Sequence, residues 1–96
     1  MVEPKYQIKW TSQYKKDIKL AKKRHYKIEE LQKVVFSLAN ALPLDEKYHD
    51  HEFEGNWKNH RECHIKPDWL LIYQIKNDVL ILELSRTGTH ADLFKK

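Results

Sequence analysis

The chain has 96 residues, of which 41% are hydrophobic and 33% are charged, and its formal net charge is +4. This length and composition exclude a largely disordered protein and predict one folded domain over residues 1–96. No apolar run could cross a membrane, no signal-peptide pattern opens the chain, and the single cysteine, Cys63, excludes an internal disulfide. We therefore expect a cytoplasmic protein without a membrane partner.

The N-terminal half is predicted to contain one strand and two helices. Residues 5–10 alternate polar and apolar side chains, which is typical of a short strand. Thr11 or Ser12 is expected to cap a first helix, whose apolar stripe consists of Tyr14, Ile18, Ala21 and His25. Pro43 is expected to end a second helix, whose apolar side carries Ile28, Leu31, Val35, Leu38 and Leu42. The short link between them predicts an antiparallel helical hairpin.

Basic residues are concentrated in this half. Residues 5–33 contain ten Lys or Arg against three acidic residues, whereas residues 34–96 contain eight basic residues against ten acidic ones. Such asymmetry is the electrostatic footprint of nucleic-acid binding, although a solvated lysine face on a surface helix would give the same pattern. The lysines of the first helix are Lys15, Lys16, Lys19, Lys22 and Lys23.

The second half is predicted to form an antiparallel sheet. Gly55-Asn56 is a turn signal that precedes it. Residues 61–65 alternate, so Cys63 is expected on one face of a strand and Glu62 and His64 on the other.

Two further strands complete the prediction. Pro67-Asp68 is expected to form a tight turn before residues 69–75, which are nearly all apolar and fit a central strand. A third strand is expected over residues 79–85, with Gly88 breaking it and residues 91–94 forming one helical turn. The predicted fold class is α+β: a strand, a two-helix antiparallel hairpin, then an antiparallel sheet.

The region from residue 49 to residue 94 combines the side chains that metal-free RNA cleavage requires. Five of the six histidines lie there, and histidine exchanges protons at neutral pH. RNA carries its own nucleophile, the 2′-hydroxyl, so cleavage needs one group to remove its proton and another to protonate the departing 5′-oxygen. Arginine supplies a permanent charge for the phosphate, and an aromatic ring can hold an unstacked base.

Six short motifs follow one another along this region. They are Tyr48-His-Asp-His51, Gly55-Asn-Trp57, Arg61-Glu-Cys-His64, Lys66-Pro-Asp-Trp69, Leu71-Ile-Tyr73 and Arg86-Thr-Gly-Thr-His-Ala-Asp-Leu-Phe94. Together they resemble the YafQ branch of the RelE/ParE superfamily of bacterial type II toxin–antitoxin systems. The resemblance implies a RelE/ParE-like microbial RNase fold and a ribosome-dependent mRNA endonuclease, an mRNA interferase, without a cofactor. It also implies three partners: the ribosome, mRNA and a cognate antitoxin of the ribbon-helix-helix, DinJ-like type.

The resemblance also implies which residues carry out the reaction. The family's functional positions fall on His51, His64, Asp68, Trp69, Arg86, His90 and Phe94. We expect His90 to be the general acid and Arg86 to bind the phosphate. Either Asp68 or His64 would be the general base.

The remaining positions would support catalysis and binding. His51 would contribute to the charge balance, and Trp69 and Phe94 would position the substrate. The lysines of the first helix would hold the protein on ribosomal RNA. The products would be a 2′,3′-cyclic phosphate, or its hydrolysed 3′-phosphate, and a 5′-hydroxyl.

Two other functions fit parts of the same sequence. A gyrase-directed toxin on the RelE/ParE scaffold would have no use for the histidine and aspartate set. A metal-dependent hydrolase would use the histidines His49, His51, His60 and His64, but no second acidic or thiolate cluster completes a zinc ligand set. Single residues also have structural alternatives, with Trp69 and Phe94 as core anchors and Cys63 as a small buried residue.

Overall fold

A five-stranded sheet carries two helices on one face in the part of the chain that the structure describes. The computed structural model describes residues 4–53 and 58–94. Its elements are β1 (Gln7–Trp10), α1 (Ser12–Lys23), α2 (Ile28–Ala39), a 3-10 turn (Glu46–Tyr48), β2 (His51–Glu52), β3 (Arg61–Lys66), β4 (Trp69–Lys76), β5 (Ile81–Gly88) and α3 (His90–Leu93). The predicted α+β class is confirmed. None of the described helices is long and apolar enough to span a membrane.

Helix α1 begins where the sequence predicts and ends earlier than its apolar stripe suggests. The hydroxyl of Thr11 accepts a hydrogen bond from the Tyr14 amide at 3.0 Å, which caps the first turn. At the other end His25 has a left-handed backbone, with φ of 62°, and the Tyr26 amide donates to the Ala21 carbonyl. His25 is therefore an exposed residue beyond the helix, so its predicted place on the buried stripe is wrong.

Helix α2 ends in the same manner. It stops at Ala39 because Ala41 turns left-handed, with φ of 57°, and the Leu42 amide donates to the Ser37 carbonyl. Leu42 is 50% exposed and does not continue the apolar side. The prediction that Pro43 ends the helix is wrong, since a local backbone motif has already ended it.

The sheet is mixed, with strand order β1-β5-β4-β3-β2. The predicted antiparallel meander is confirmed for β3, β4 and β5. β1 adds to it as a parallel neighbour of β5, and β2 adds as a short antiparallel strand beside β3. β5 starts two residues later than predicted, because Val79 and Leu80 lie in the turn after Lys76, where Leu80 has a φ of 53°. The predicted Gly55-Asn56 turn lies outside the described residues.

The core lies between the helices and one face of the sheet. The residues of β3, β4 and β5 that face the helices include Cys63, Leu71, Tyr73, Leu82 and Leu84, all at most 1% exposed. Side chains of both helices pack against them, among them Tyr14, Leu31, Val34 and Leu38. Because side chains alternate across a strand, Glu62 and His64 lie on the other face of the sheet, as predicted. Cys63 is the small buried residue that its alternation predicted.

Candidate functional site

The strand register brings several predicted site residues into one row on the face of the sheet away from the helices. His51 pairs with Glu62, Glu62 with Ile72, and Ile72 with Arg86. Directly paired residues on neighbouring strands point to the same face. The next row places His64 beside Leu70, which itself pairs with the end of β5 just before α3. This face, opposite the one on which α1 and α2 pack, is the candidate site.

A β-bulge places Arg86 on this face. Tyr73 pairs with Leu84 but the preceding Ile72 pairs with Arg86, so Ser85 is an extra residue in β5. Without the extra residue, Leu84 and Arg86 would share the core face, because residues two apart on a regular strand do so. The sequence predicted Arg86 just beyond the last strand, whereas it lies within β5.

Asp68 and His90 form a close pair at one end of the face. A single carboxylate oxygen of Asp68 accepts from the His90 backbone amide at 3.0 Å and lies 2.6 Å from the ring Nδ1. These two hydrogen bonds, the backbone one first, hold the pKa of Asp68 below its ordinary value. The ionised carboxylate only accepts hydrogen bonds, so Nδ1 carries a proton. This contact orients the His90 ring, and Nε2 is the nitrogen that could exchange a proton with a substrate.

Three further groups gather around His64. Its ring centroid lies 5.9 Å from that of His90, 6.1 Å from that of His51 and 5.9 Å from that of His49. The Oε1 atom of Glu62 lies 3.3 Å from Nε2 of His64 and 3.8 Å from Nε2 of His51. Glu62 is only 9% exposed, so this carboxylate is held among the histidines. The sequence prediction placed Glu62 on the face of His64 but gave it no role.

The segment that carries His51 is anchored to the core by Asp50. The Tyr73 hydroxyl donates to Asp50 from the sheet, and Arg61 Nη2 donates to its other oxygen at 3.0 Å. Burial, supported by Asp50, raises the pKa of Tyr73, so the hydroxyl keeps the proton that it donates. Nδ1 of His51 also lies 2.6 Å from the carbonyl oxygen of His49. These contacts fix where His51 lies relative to β3.

Arg86 is held by a carboxylate of helix α1. Its Nε and Nη2 donate to the two oxygens of Asp17 at 2.8 and 3.2 Å. β1 ends at Trp10, so the following part of the β5 edge is open to α1, and the Thr87 amide also donates to Asp17, at 3.1 Å. Two of the five guanidinium N–H groups point at Asp17, which leaves three that Asp17 does not engage.

The two predicted aromatic residues have different environments. Trp69 is 4% exposed, its indole N–H donates to Thr87 at 2.9 Å, and its ring packs 4.9 Å from that of Tyr26. Trp69 is therefore a core residue, and a base cannot stack on its buried ring. That it helps to position the substrate stays a prediction. Phe94 is 42% exposed and stacks on Phe53 with centroids 5.8 Å apart. Phe94 can meet a base, since its ring also lies 6.1 Å from that of His90.

The five lysines predicted to contact RNA are all exposed on α1: Lys15, Lys16, Lys19, Lys22 and Lys23. The histidines proposed for a metal do not form a ligand set. Within residues 4–53 and 58–94, no group of three or more His, Cys, Asp or Glu side chains is arranged to hold a metal ion. Cys63 lies on the opposite face of the sheet from His64.

Comparison with known proteins defines the class first. The family model described as a bacterial toxin of type II toxin–antitoxin system, YafQ, matches residues 6–95. The mRNA interferase toxin YafQ of Escherichia coli strain K12 is 47% identical over 88 residues, which cover 91% of this chain and 94% of the relative. The protein is thus a toxin of the type II toxin–antitoxin class. Within that class, the chain belongs to the YafQ family.

Solved structures agree with this assignment. YafQ in the E. coli DinJ-YafQ toxin–antitoxin complex superposes with a TM-score of 0.86 at 44% identity, covering 94% of this chain and 98% of that one. A metal-bound toxin from Helicobacter pylori superposes with a TM-score of 0.89 at 44% identity, covering 93% of this chain and 99% of that one. The fold expected from the resemblance is therefore confirmed.

Proposed function

We propose that this chain is a ribosome-dependent mRNA interferase that cleaves RNA through its own 2′-hydroxyl, without a metal ion. The observation that carries the proposal is the Asp68–His90 pair, which lies beside the His64–Glu62 cluster on one face of the sheet. An acid and a base on opposite sides of a phosphate are what this chemistry needs. A gyrase-directed toxin would have no use for such a pair.

The reaction follows from these positions. A base removes the proton of the 2′-hydroxyl, whose oxygen attacks the adjacent phosphorus, while Nε2 of His90 gives a proton to the departing 5′-oxygen. Arg86 stabilises the negative charge that gathers on the phosphate oxygens. The bond to the 5′-oxygen breaks as the bond from the 2′-oxygen forms. The products are a 2′,3′-cyclic phosphate, which can hydrolyse to a 3′-phosphate, and a 5′-hydroxyl.

Geometry favours the His64–Glu62 pair over Asp68 as the source of the base. Asp68 already accepts two hydrogen bonds from His90, and its lowered pKa makes it a weaker proton acceptor. His64 lies across from His90. Its Nε2 faces the Glu62 carboxylate at 3.3 Å and its Nδ1 lies 3.4 Å from the Pro67 carbonyl oxygen, so His64 acts as a base only by turning one nitrogen away from its acceptor. Glu62 is a further candidate for the base, alone or by stabilising His64 when it takes the proton. In this assignment Asp68 orients the acid and His51 contributes to the charge around Glu62.

We also propose that the exposed lysines of α1 hold the toxin on ribosomal RNA, which places it in the cytoplasm. Reversing three of them, Lys19, Lys22 and Lys23, to glutamate is expected to weaken ribosome binding. The slope of the logarithm of affinity against that of salt concentration should become shallower by about 2–3, because each lost phosphate contact releases roughly one counterion fewer. Binding and cleavage of ribosome-bound mRNA would be measured over a salt series.

The control keeps the charge change and moves it off α1. Lys9, Lys27 and Lys33 are also exposed, and their reversal should change the salt slope much less. Equal losses in the two triple variants would show that net charge alone governs binding, and would contradict a role for α1.

The antitoxin is proposed to dock on a groove between β1, α1 and α2. The groove has a volume of about 870 Å³, and its apolar lining includes the exposed side chains Trp10 and Phe36, at 54% and 64% exposure. Three of the α1 lysines border it: Lys15, Lys19 and Lys22. An amphipathic segment with acidic residues along one side would match this surface in both hydrophobicity and charge. Such a segment would also cover lysines proposed to bind the ribosome.

Co-expression with the cognate antitoxin should restore growth and yield a stable complex, and Phe36→Glu should weaken that complex by on the order of tenfold or more. Val79→Glu is the matched control, because Val79 is 56% exposed and does not line the groove. Affinities would be measured by calorimetry with the purified proteins. A complex that Phe36→Glu and Val79→Glu weaken equally would remove the groove from the interface.

A further inference from the structure

Two side chains on α1 and its C-terminal cap contact either Arg86 itself or the short helix that carries His90. Asp17 contacts Arg86, and Arg24, the C-terminal cap of α1, contacts Asp92 in α3. Positions 17 and 24 are seven residues apart, which is about two helical turns, so both side chains lie on one side of α1. The exposed lysines occupy other positions of the same helix.

The side chain of Asp17 is buried and hydrogen-bonded. It is 8% exposed, and besides Arg86 it accepts hydrogen bonds from the Thr87 amide and from Gln13 at 3.2 Å. Its two oxygens accept hydrogen bonds from two nitrogens of the Arg86 guanidinium. Such a bidentate pair fixes the orientation of the guanidinium as well as its distance. Asp17 therefore fixes the plane of the Arg86 guanidinium.

Arg24 acts on the helix that carries His90. α3 has only four residues, too few for a helix to persist without outside contacts. Thr89 and Asp92 form a capping box. Two nitrogens of Arg24 donate hydrogen bonds to the Asp92 carboxylate, at 2.6 and 3.1 Å. The Asp92 side chain also packs closely against Gly88, since a Cβ added to Gly88 would lie 3.0 Å from Asp92 Oδ2. His90 is the first residue of the helix so held.

We propose that α1 is the positioning element of the site: Asp17 orients Arg86, and Arg24 orients His90 through Asp92. The proposal rests on the functions proposed above for Arg86 and His90. Neither Asp17 nor Arg24 touches the substrate. The Arg24–Asp92 pair is partly exposed, and such pairs contribute little to stability, so its loss should appear in the rate rather than in unfolding.

The test compares Asp17→Asn and Arg24→Ala with charge-matched surface controls, Asp78→Asn and Lys33→Ala. With ribosome-bound mRNA, kcat should fall about tenfold to a hundredfold in the first two variants with KM unchanged, because misplacing a catalytic group by ~1 Å can have that effect. The controls should leave both constants unchanged. Arg24→Lys keeps the positive charge but not the planar guanidinium that donates with two nitrogens. Its kcat should therefore lie between those of Arg24→Ala and the wild-type chain.

Nuclear magnetic resonance on the purified full chain gives a second readout that needs no cleavage. Asp17→Asn should speed solvent exchange of the Arg86 Nε proton, and Arg24→Ala should do so for the Asp92 amide proton. Combining Arg24→Ala with Asp92→Asn should reduce kcat no further than Asp92→Asn alone, because Arg24 acts only through Asp92.

Two results would overturn the positioning role. One is unchanged exchange rates in the variants, and the other is a double variant whose losses multiply. Absence of any cleavage by the wild-type chain would instead remove the proposed function, and the exchange measurements would still decide whether α1 holds the two groups.

Discussion

Replacing His90 with alanine is expected to slow cleavage of ribosome-bound mRNA by about a hundredfold to ten-thousandfold, the contribution of a well-placed general acid. The side chain is exposed, so its loss should leave the fold and antitoxin binding intact. Single-turnover cleavage would measure the rate, and thermal unfolding would check the fold. Expression of the variant should no longer arrest growth.

A second histidine provides the control for His90. His25 is exposed and lies beyond the end of α1 with a left-handed backbone, which asparagine tolerates better than alanine does. His25→Asn should therefore cleave at the wild-type rate. A His90→Ala protein that remains toxic at normal expression would contradict the assignment of His90 as the acid.

Replacing Arg86 with alanine is expected to reduce both cleavage and stability. Loss of a fixed donor to the charged phosphate should lower the rate by about 10²–10³-fold. Asp17 would also keep its buried charge without the guanidinium, which should reduce the free energy of unfolding by about 2 kcal/mol. That is below the range for fully buried pairs, because Gln13 and Thr87 still donate to Asp17.

The two effects can be separated with a second substitution. Adding Asp17→Asn to Arg86→Ala removes the unpaired charge, so stability in urea should largely return while cleavage stays low. Recovery of cleavage together with stability would mean that Arg86 serves only to balance Asp17, and would contradict its role on the phosphate.

Local pattern predicted much of the fold. The Thr11 cap, the alternation around Cys63 and the apolar run of β4 are encoded over short stretches of sequence, and the structure has them. The parallel pairing of β1 with β5 was not predicted, because it joins residues more than 70 positions apart and no periodicity records it. The left-handed residues that end the two helices are His25 and Ala41, neither of which is the glycine that usually marks such an end.

The site was predicted less completely, and for different reasons. The resemblance to a family, not spacing, placed Asp68 and His90 among the functional positions, and it did not predict the hydrogen bonds between them. Asp17 stands among lysines and is not an apolar residue of the predicted stripe, so no sequence pattern indicated its contact with β5. A one-residue bulge decides which face Arg86 occupies, and no local motif marks it. Trp69 matches the family pattern but lies in the core. The residue type and its place in the order of motifs therefore did not predict whether the side chain is exposed.

The most direct test of the account is the chemistry of the RNA ends. The chain would be stripped of metals with EDTA, returned to Mg²⁺ buffer that keeps ribosomes intact, and given the same mRNA naked or ribosome-bound. We expect rapid cleavage of the ribosome-bound mRNA alone, with 2′,3′-cyclic phosphate or 3′-phosphate and 5′-hydroxyl ends. Equal cleavage of naked mRNA, 5′-phosphate ends, or activity that returns only with zinc or copper would contradict the account.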